Sequence, residues 1–259
     1  MRHVVWFSCG AASAVAAKMA TQKYPDSILA YCDTSSTEHP DNMRFLGDIE
    51  EWVGKPVVRL KSKKYTDIWD VFSKTRYLVG VVGARCTSEL KRAVREEFAE
   101  EGDVNIFGYT SEEGARARQF NKHNPEIATE WILIDRGISK EDCLGMLWKA
   151  GIEIPAMYKM GYQNNNCIGC VKGQAGYWNK IRKDFPDIFA RMASVERDLN
   201  VAINKTYIDG VRTRIFLDEL PEDMGNYKTE PNISCGIVCM SAYDGLDIAP
   251  VELPEQCEI

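Results

Sequence analysis

Cysteine is the residue type with the most chemistry to offer here: nine occur in a chain of 259 residues, and their spacing is uneven. Cys167-Ile-Gly-Cys170 is a C-x-x-C, Cys235 and Cys239 lie four apart, and Cys86 stands alone in Arg85-Cys86-Thr87. Thiolates ligate iron or zinc, attack electrophiles or pair as disulfides, and basic neighbours such as Arg85, Lys91 and Arg92 ease their deprotonation. An odd count argues against a disulfide framework. Zinc held by Cys167, Cys170, Cys235 and Cys239 is an open alternative, although a long gap separates the two pairs. Cys9, Cys32 and Cys143 fall in strand-end or apolar segments and read as packing residues. The second candidate is Ser8-Cys9-Gly10-Ala11-Ala12-Ser13, between an apolar run and a helix-forming one. Backbone N–H groups at such a turn can face phosphate, and small residues let it approach. Close packing explains the same pattern equally well, and it is neither a G-x-G-x-x-G nor a Walker loop.

These residues need elements to position them. Val4–Phe7, Ile28–Cys32, Pro56–Leu60, Val104–Phe107 and Trp131–Ile134 read as strands. Between them, Ala11–Ala20, Pro40–Val53 (stopped by Gly54), Thr87–Glu101, Ser111–Asn121 and Ser139–Ala150 read as helices. This alternation implies a mostly parallel sheet covered by helices on both faces. From Gly151 the character changes: residues 152–166 are irregular, the C-x-x-C follows, and a helical stretch runs from Gly176 to Asn204 with a break near Pro186. A domain boundary is expected there, giving 1–151 and a C-terminal extension, 152–259, packed on it.

Composition narrows the classes. The chain is 45% hydrophobic and 27% charged, with a net charge of −6, which fits a folded globular protein. Residues 218–259 hold ten acidic residues and one basic residue, so the rest of the chain is mildly basic and suits an anionic substrate. Val4–Phe7 is too short an apolar run for a signal peptide, and no charge-free stretch is long enough to span a bilayer. The expected setting is cytoplasmic, without a membrane. Lys172–Arg214 carries nine basic residues against five acidic, interleaved with Tyr177, Trp178, Phe185, Phe189 and Tyr207. That mixture can bind nucleic acid, or can be one core face and one solvated face of helices.

Several segments together resemble the phosphoadenosine phosphosulfate (PAPS) reductase-like family of the adenine-nucleotide α-hydrolase, or PP-loop, superfamily. They are Ser8-Cys9-Gly10-Ala11-Ala12-Ser13, Cys32-Asp33-Thr34 with Glu38-His39-Pro40, and Gly108-Tyr109-Thr110-Ser111-Glu112-Glu113 with Arg116. Trp131–Asp135 with Ser139–Asp142, and Ile154–Tyr158 with Gly161-Tyr162 before the C-x-x-C, complete the order. The resemblance covers roughly residues 3–200. It implies a doubly wound, HUP-like α/β fold with a mostly parallel five-stranded sheet and a C-terminal helical and irregular, cysteine-containing extension. It implies that Ser8, Gly10 and Ser13 hold nucleotide phosphates, that Asp33, Thr34 and Gly108 lie at the nucleotide, that Arg116 faces phosphate or sulfate, and that Arg116 and Lys91 are catalytic residues. ATP-cleaving members carry Ser-Gly-Gly-x-Asp-Ser, from which Cys9 and Ala12 depart.

The cysteines gain a specific meaning from the same resemblance. Adenylyl-sulfate reductases hold a [4Fe-4S] cluster on a Cys-Cys pair and a later C-x-x-C, whereas sulfur-modifying relatives have one Cys in a Cys-Thr-x-x-Leu-Lys context, as Cys86 does. The implied ligands are Cys86, Cys167 and Cys170, leaving one iron open for sulfur unless Cys235 or Cys239 closes it. Ser234-Cys235-Gly236-Ile237 is similar to the reductase tail with its nucleophilic cysteine, so Cys235 is the candidate nucleophile. The leading expectation is iron–sulfur-dependent sulfur activation or transfer to a nucleotide or nucleic-acid acceptor. The alternatives are an adenylyl-sulfate or PAPS reductase releasing sulfite, and a non-catalytic nucleotide or redox sensor. Expected partners are the adenine nucleotide (ATP, adenylyl sulfate or PAPS), that acceptor, a thioredoxin-like or other reductant, and a second copy of the chain as a homodimer.

Overall fold

Val4, Val5, Trp6 and Phe7 are all buried, as a strand covered on both faces requires. The computed structural model describes residues 1–80, 83–208 and 211–233. Its strands are β1 (His3–Phe7), β2 (Ile28–Cys32), β3 (Val57–Leu60), β4 (Val79–Gly80), β5 (Gly83–Ala84), β6 (Val104–Phe107), β7 (Thr129–Glu130), β8 (Asn204–Ile208) and β9 (Val211–Ile215). Its helices are α1 (Ala11–Lys23), α2 (Asn42–Val53), α3 (Ile68–Thr75), α4 (Arg85–Thr87), α5 (Ala93–Phe98), α6 (Gly114–His123), α7 (Lys140–Lys149), α8 (Ala156–Lys159), α9 (Ala175–Asp184) and α10 (Pro186–Leu199). The central sheet is five-stranded and parallel, in the order β3-β2-β1-β6-β7. Chain order reverses across β1, between β2 and β6, and such a switch point opens a crevice at the carboxyl ends of the strands.

The sequence dictates much of this directly. α1 buries Ala11, Ala14, Ala16, Ala17 and Ala20, whose methyl groups let the helix lie close on the sheet. α2 ends at Gly54, left-handed at φ 78°, as its glycine stop predicts. Ser139 caps α7, accepting the Asp142 N–H at 3.0 Å.

Three expectations need correction. The last sheet strand is Thr129–Glu130, two residues before the apolar run Trp131–Ile134, which instead turns back on itself. The Asp135 N–H bonds to the Trp131 carbonyl and the Ile138 N–H to the Leu133 carbonyl, both at 2.9 Å. Ile132 and Leu133 are fully buried in that turn, so their hydrophobicity serves packing rather than strand pairing. The helix expected over Thr87–Glu101 is broken: α4 and α5 flank a π-helical turn, Ser88–Arg92, and α5 ends at Phe98. Finally, α3, the β4–β5 hairpin and the β8–β9 hairpin have no counterpart in the pattern reading.

Two large hydrophobic clusters, with a smaller third around Val4, Trp6 and Phe107, fill the described part of the molecule. One lies between the sheet and helices α1, α2 and α7. The other joins Ile68, Trp69, Phe72, Leu78 and Leu90 to Met157, Tyr177, Trp178, Ile181, Met192 and Leu217. Residues from both sides of position 151 therefore share this second core.

Candidate functional site

A cavity of about 400 Å³ opens at the carboxyl ends of β1 and β6. Its walls bring together six residues singled out by sequence: Ser8, Gly10, Ser13, Lys91, Gly108 and Arg116. Trp6, Phe7, Tyr31 and Phe107 add an apolar lining.

The Ser13 side chain ties the loop before α1 together. The Ser13 hydroxyl accepts the N–H groups of Ser8 (3.1 Å) and Gly10 (3.3 Å) and donates to the Gly10 carbonyl (2.9 Å). Between them Cys9 is left-handed at φ 53° and fully buried. Ser13 is itself 4% exposed, so its work is to shape the loop, while Ser8 stands exposed at the rim. Gly10 has an extended backbone, and a Cβ there would meet the Tyr158 hydroxyl at 3.4 Å, an ordinary contact. Gly108 is the constrained glycine: a Cβ would lie 2.6 Å from the N and Cα of Ser13. Its smallness lets the end of β6 abut the start of α1.

Three cations line the cavity: Lys91, Arg116 and Lys140. Arg116 donates to the Glu113 carboxylate at 2.6 Å, and its guanidinium lies 4.2 Å from the Tyr109 ring centroid, leaving the buried Nη2 without a partner among the described residues. Glu113 also accepts the Thr110 N–H (3.2 Å), closing the turn that starts α6. Lys91 sits on the π-helical turn, a distortion common at functional sites. Lys140 escaped the sequence reading. Its ammonium donates to Asn164 Oδ1 at 2.8 Å and to the Gln163 carbonyl, and burial lowers its pKa against the pull of Glu113 and Glu112. Its position at the start of a capped helix was the available signal.

Asp33 and Thr34 do not line this cavity. Asp33 accepts from the Ser35 N–H (3.0 Å) and hydroxyl (2.5 Å) and pairs with Lys61 at 3.5 Å. Burial opposes ionisation, but those Ser35 bonds and Lys61 hold its carboxyl below the ordinary range. Thr34 donates to Glu38 at 2.5 Å. Buried Glu38 also accepts from Tyr31 (2.8 Å) and Asn42 (2.7 Å); Asn42 accepts from Asn165 (2.8 Å), which donates onward to the Cys9 carbonyl (2.6 Å). One buried polar chain thus runs from the end of β2 to the loop before α1. The Asn164-Asn165-Asn166 run, read only as irregular, supplies its far end and part of the cavity wall.

The C-x-x-C lies beside this chain. The Ile168 N–H donates to the Thr37 carbonyl at 2.9 Å, and the Thr37 hydroxyl is 3.5 Å from the Cys167 sulfur. Gly169 is left-handed (φ 75°), and the Tyr177 hydroxyl accepts the N–H groups of Gly169 (3.0 Å) and Cys170 (2.9 Å). Cys167 and Cys170 are buried, and half-buried Cys86 packs against the core that contains Cys170. The donor chemistry suits iron or zinc, but among the described residues no three His, Cys, Asp or Glu side chains group to hold a metal ion. Cys235 and Cys239 lie outside the described residues. Cys9, Cys32 and Cys143 are buried, and burial pushes all three thiols up, Cys32 and Cys143 to about 12, which keeps them protonated packing residues.

Four of the five aromatic residues interleaved with basic ones after Lys172 turn inward. Tyr177 and Trp178 are buried, and Phe185 and Phe189 pack against the second core. No helix among the described residues is long and apolar enough to cross a membrane. No protein-family model matches the chain, and no curated protein matches its sequence.

Proposed function

We propose that this chain binds an adenine nucleotide in the cavity at the end of β1 and carries out PAPS reductase-like sulfur chemistry, activating sulfur or transferring it to a nucleotide or nucleic-acid acceptor. The observation that carries the reading is the convergence of the Ser8–Ser13 loop with Lys91, Arg116 and Lys140 on one cavity. A polyanionic ligand is what three cations beside a strand-to-helix loop are suited to hold. The aromatic lining from Trp6, Phe7, Tyr31 and Phe107 suits a base or another flat apolar group, and the volume falls in the usual range for small-molecule sites. The strand order and its switch point agree with a HUP-like fold.

The [4Fe-4S] cofactor is a separate proposal resting on the thiols of Cys86, Cys167 and Cys170. Calorimetry with ATP, adenylyl sulfate and PAPS tests the nucleotide reading. Saturable binding that weakens at least about tenfold in Arg116→Ala is expected when a charge-assisted hydrogen bond is removed; absence of binding by all three overturns it. Sulfite release from either sulfonucleotide with thioredoxin would redirect the chemistry to reduction.

A further inference from the structure

The β8–β9 hairpin has one face that the cavity does not explain. Its register sets Lys205 directly opposite Arg214, and Arg212, two residues before Arg214, shares that face. All three are exposed. The opposite face begins with the pair Asn204 and Ile215, where Asn204 is buried and Ile215 packs on the second core. The ribbon is therefore oriented, with its cationic face turned away from the protein.

Like charges directly opposite on a ribbon are destabilising. Here the acidic residues flanking the ribbon in the chain are already engaged elsewhere. Arg197 takes Asp218 (2.7 Å) and Glu219 (2.6 Å), Arg76 takes Asp198 (2.5 Å), and Glu196 accepts the N–H groups of Ile203 and Leu217, both at 2.6 Å. Arg214 leans back on the carbonyls of Ala202 (3.3 Å) and Ile203 (3.2 Å). Among the described residues no carboxylate pairs with Lys205, Arg212 or Arg214. Asp209, between the two strands, lies outside the described residues, and none of the described carboxylates relieves the repulsion.

We propose that this ribbon is a docking element for the phosphodiester backbone of a nucleic acid. A five-residue ribbon is about 17 Å long, and a two-stranded β-ribbon is one of the two elements that fit the major groove of a duplex. Cations spaced two residues apart on one strand and directly across on the other present a compact positive patch to successive phosphates. With the aromatic side chains of α9 and α10 directed into the core, neither helix adds a stacking surface to the patch. The assignment stands on the ribbon's own residues, none of which lines the nucleotide cavity.

The test is fluorescence anisotropy of the full chain with a labelled short DNA duplex and with single-stranded DNA and RNA of matching length, across a salt series. The wild-type protein is expected to bind with a Kd in the roughly micromolar range of sequence-independent association. Lys205→Ala with Arg212→Ala should weaken binding about tenfold and reduce the salt slope by about two, one unit for each phosphate that is no longer neutralised. The duplex and single-stranded arms show which form the ribbon prefers. Arg212→Gln, a single exposed change, gives a second reading should the double variant misfold, and is expected to lower the slope by about one. Nucleotide affinity by calorimetry should be unchanged in both variants, which separates a failure here from a failure of the cavity assignment. Failure of the wild-type protein to bind any of the three nucleic acids, unaltered affinity in the variants, or equally tight binding of polyglutamate would each overturn the proposal, the last in favour of an acidic polypeptide.

Discussion

A methyl group at Gly108 has nowhere to go, because the backbone of Ser13 would lie 2.6 Å from it. Gly108→Ala must push β6 and the start of α1 apart, at a cost of about 1–3 kcal/mol for overpacking. It should weaken nucleotide binding as well, since the same movement opens the loop. Gly10→Ala makes only ordinary contacts and should leave stability within about 0.5 kcal/mol of wild type. Urea denaturation of the two variants checks the contrast; equal losses would mean that the tight approach at Gly108 carries no strain. Both glycines stand in the sequence as small residues near a loop, and only the geometry tells which one is required. The same limit applies to Asp33 and Thr34. Their position after a strand suggests a ligand contact, yet their side chains face Ser35, Lys61 and Glu38. Metal analysis tests the role of the thiols. Anaerobically purified protein is expected to carry about four irons and four sulfides per chain, lost in Cys86→Ala, Cys167→Ala and Cys170→Ala and kept in Cys143→Ala. Iron-free protein, or stoichiometric zinc, would reduce the C-x-x-C to a packed or zinc-bound loop.

Elements were legible where periodicity and a stop residue agreed. β2 and β6 lie where their β-branched and aromatic runs predict, and α2 stops at its glycine. Legibility failed where tertiary packing competed with local pattern, as in the buried turn at Ile132 and Leu133 and the π-helical turn that carries Lys91. The β8–β9 hairpin was hidden for a related reason. Its strands are polar and charged, and the segments on either side of it are tied to α10 through one buried side chain. Glu196 is wholly buried and accepts from the N–H groups of Ile203 and Leu217, which bracket the hairpin. Burial raises its pKa to about 7 from an ordinary 4.5, against the lowering effect of those two amides; Asp218 adds to the rise and Arg197 opposes it. A raised carboxyl pKa makes the folded state bind a proton that the unfolded state has released. This contribution to stability is complete below about pH 4.5 and fades as pH rises to about 7, an effect of order 2–3 kcal/mol at most. Urea midpoints of wild-type protein should thus fall over that window relative to Glu196→Gln, which cannot titrate. The variant should also be less stable at pH 5, because its amide NH₂ faces a backbone N–H left with no acceptor. Parallel pH profiles for the two proteins would place the buried proton elsewhere.

At the scale of the whole molecule, the change of character after Gly151 suggests an extension that packs on the first 151 residues rather than folding alone, and hydrophobic contacts cross that line. α3 and the β4–β5 hairpin come from the first half of the chain, yet Ile68, Trp69, Phe72 and Leu78 are buried in the core built with Trp178, Ile181 and Met192. Polar links cross it too. Asn165 holds the Cys9 carbonyl and Asn42, Arg44 reaches the Glu153 carbonyl at 3.1 Å, and the Ala156 N–H donates to Asp41 at 2.8 Å. Composition marks where regular alternation of strand and helix ends; it carries no information on which apolar faces meet. A fragment ending at residue 151 would expose four large buried side chains, each giving up about 1.5–3 kcal/mol of burial, comparable in sum with the stability of a whole domain. The fragment is accordingly expected to be aggregated or unfolded, and the intact chain to unfold in one cooperative transition by both fluorescence and far-ultraviolet dichroism. Trp69 and Trp178 report on the second core and Trp6 on the sheet, so a variant with Trp69→Phe and Trp178→Phe removes the second core's share of the fluorescence change. If its midpoint departs from that of the wild-type protein by more than the small cost of the substitutions, or if the 1–151 fragment folds, the two cores are independent and the cavity between the loop before α1 and the asparagine run is a joint between domains.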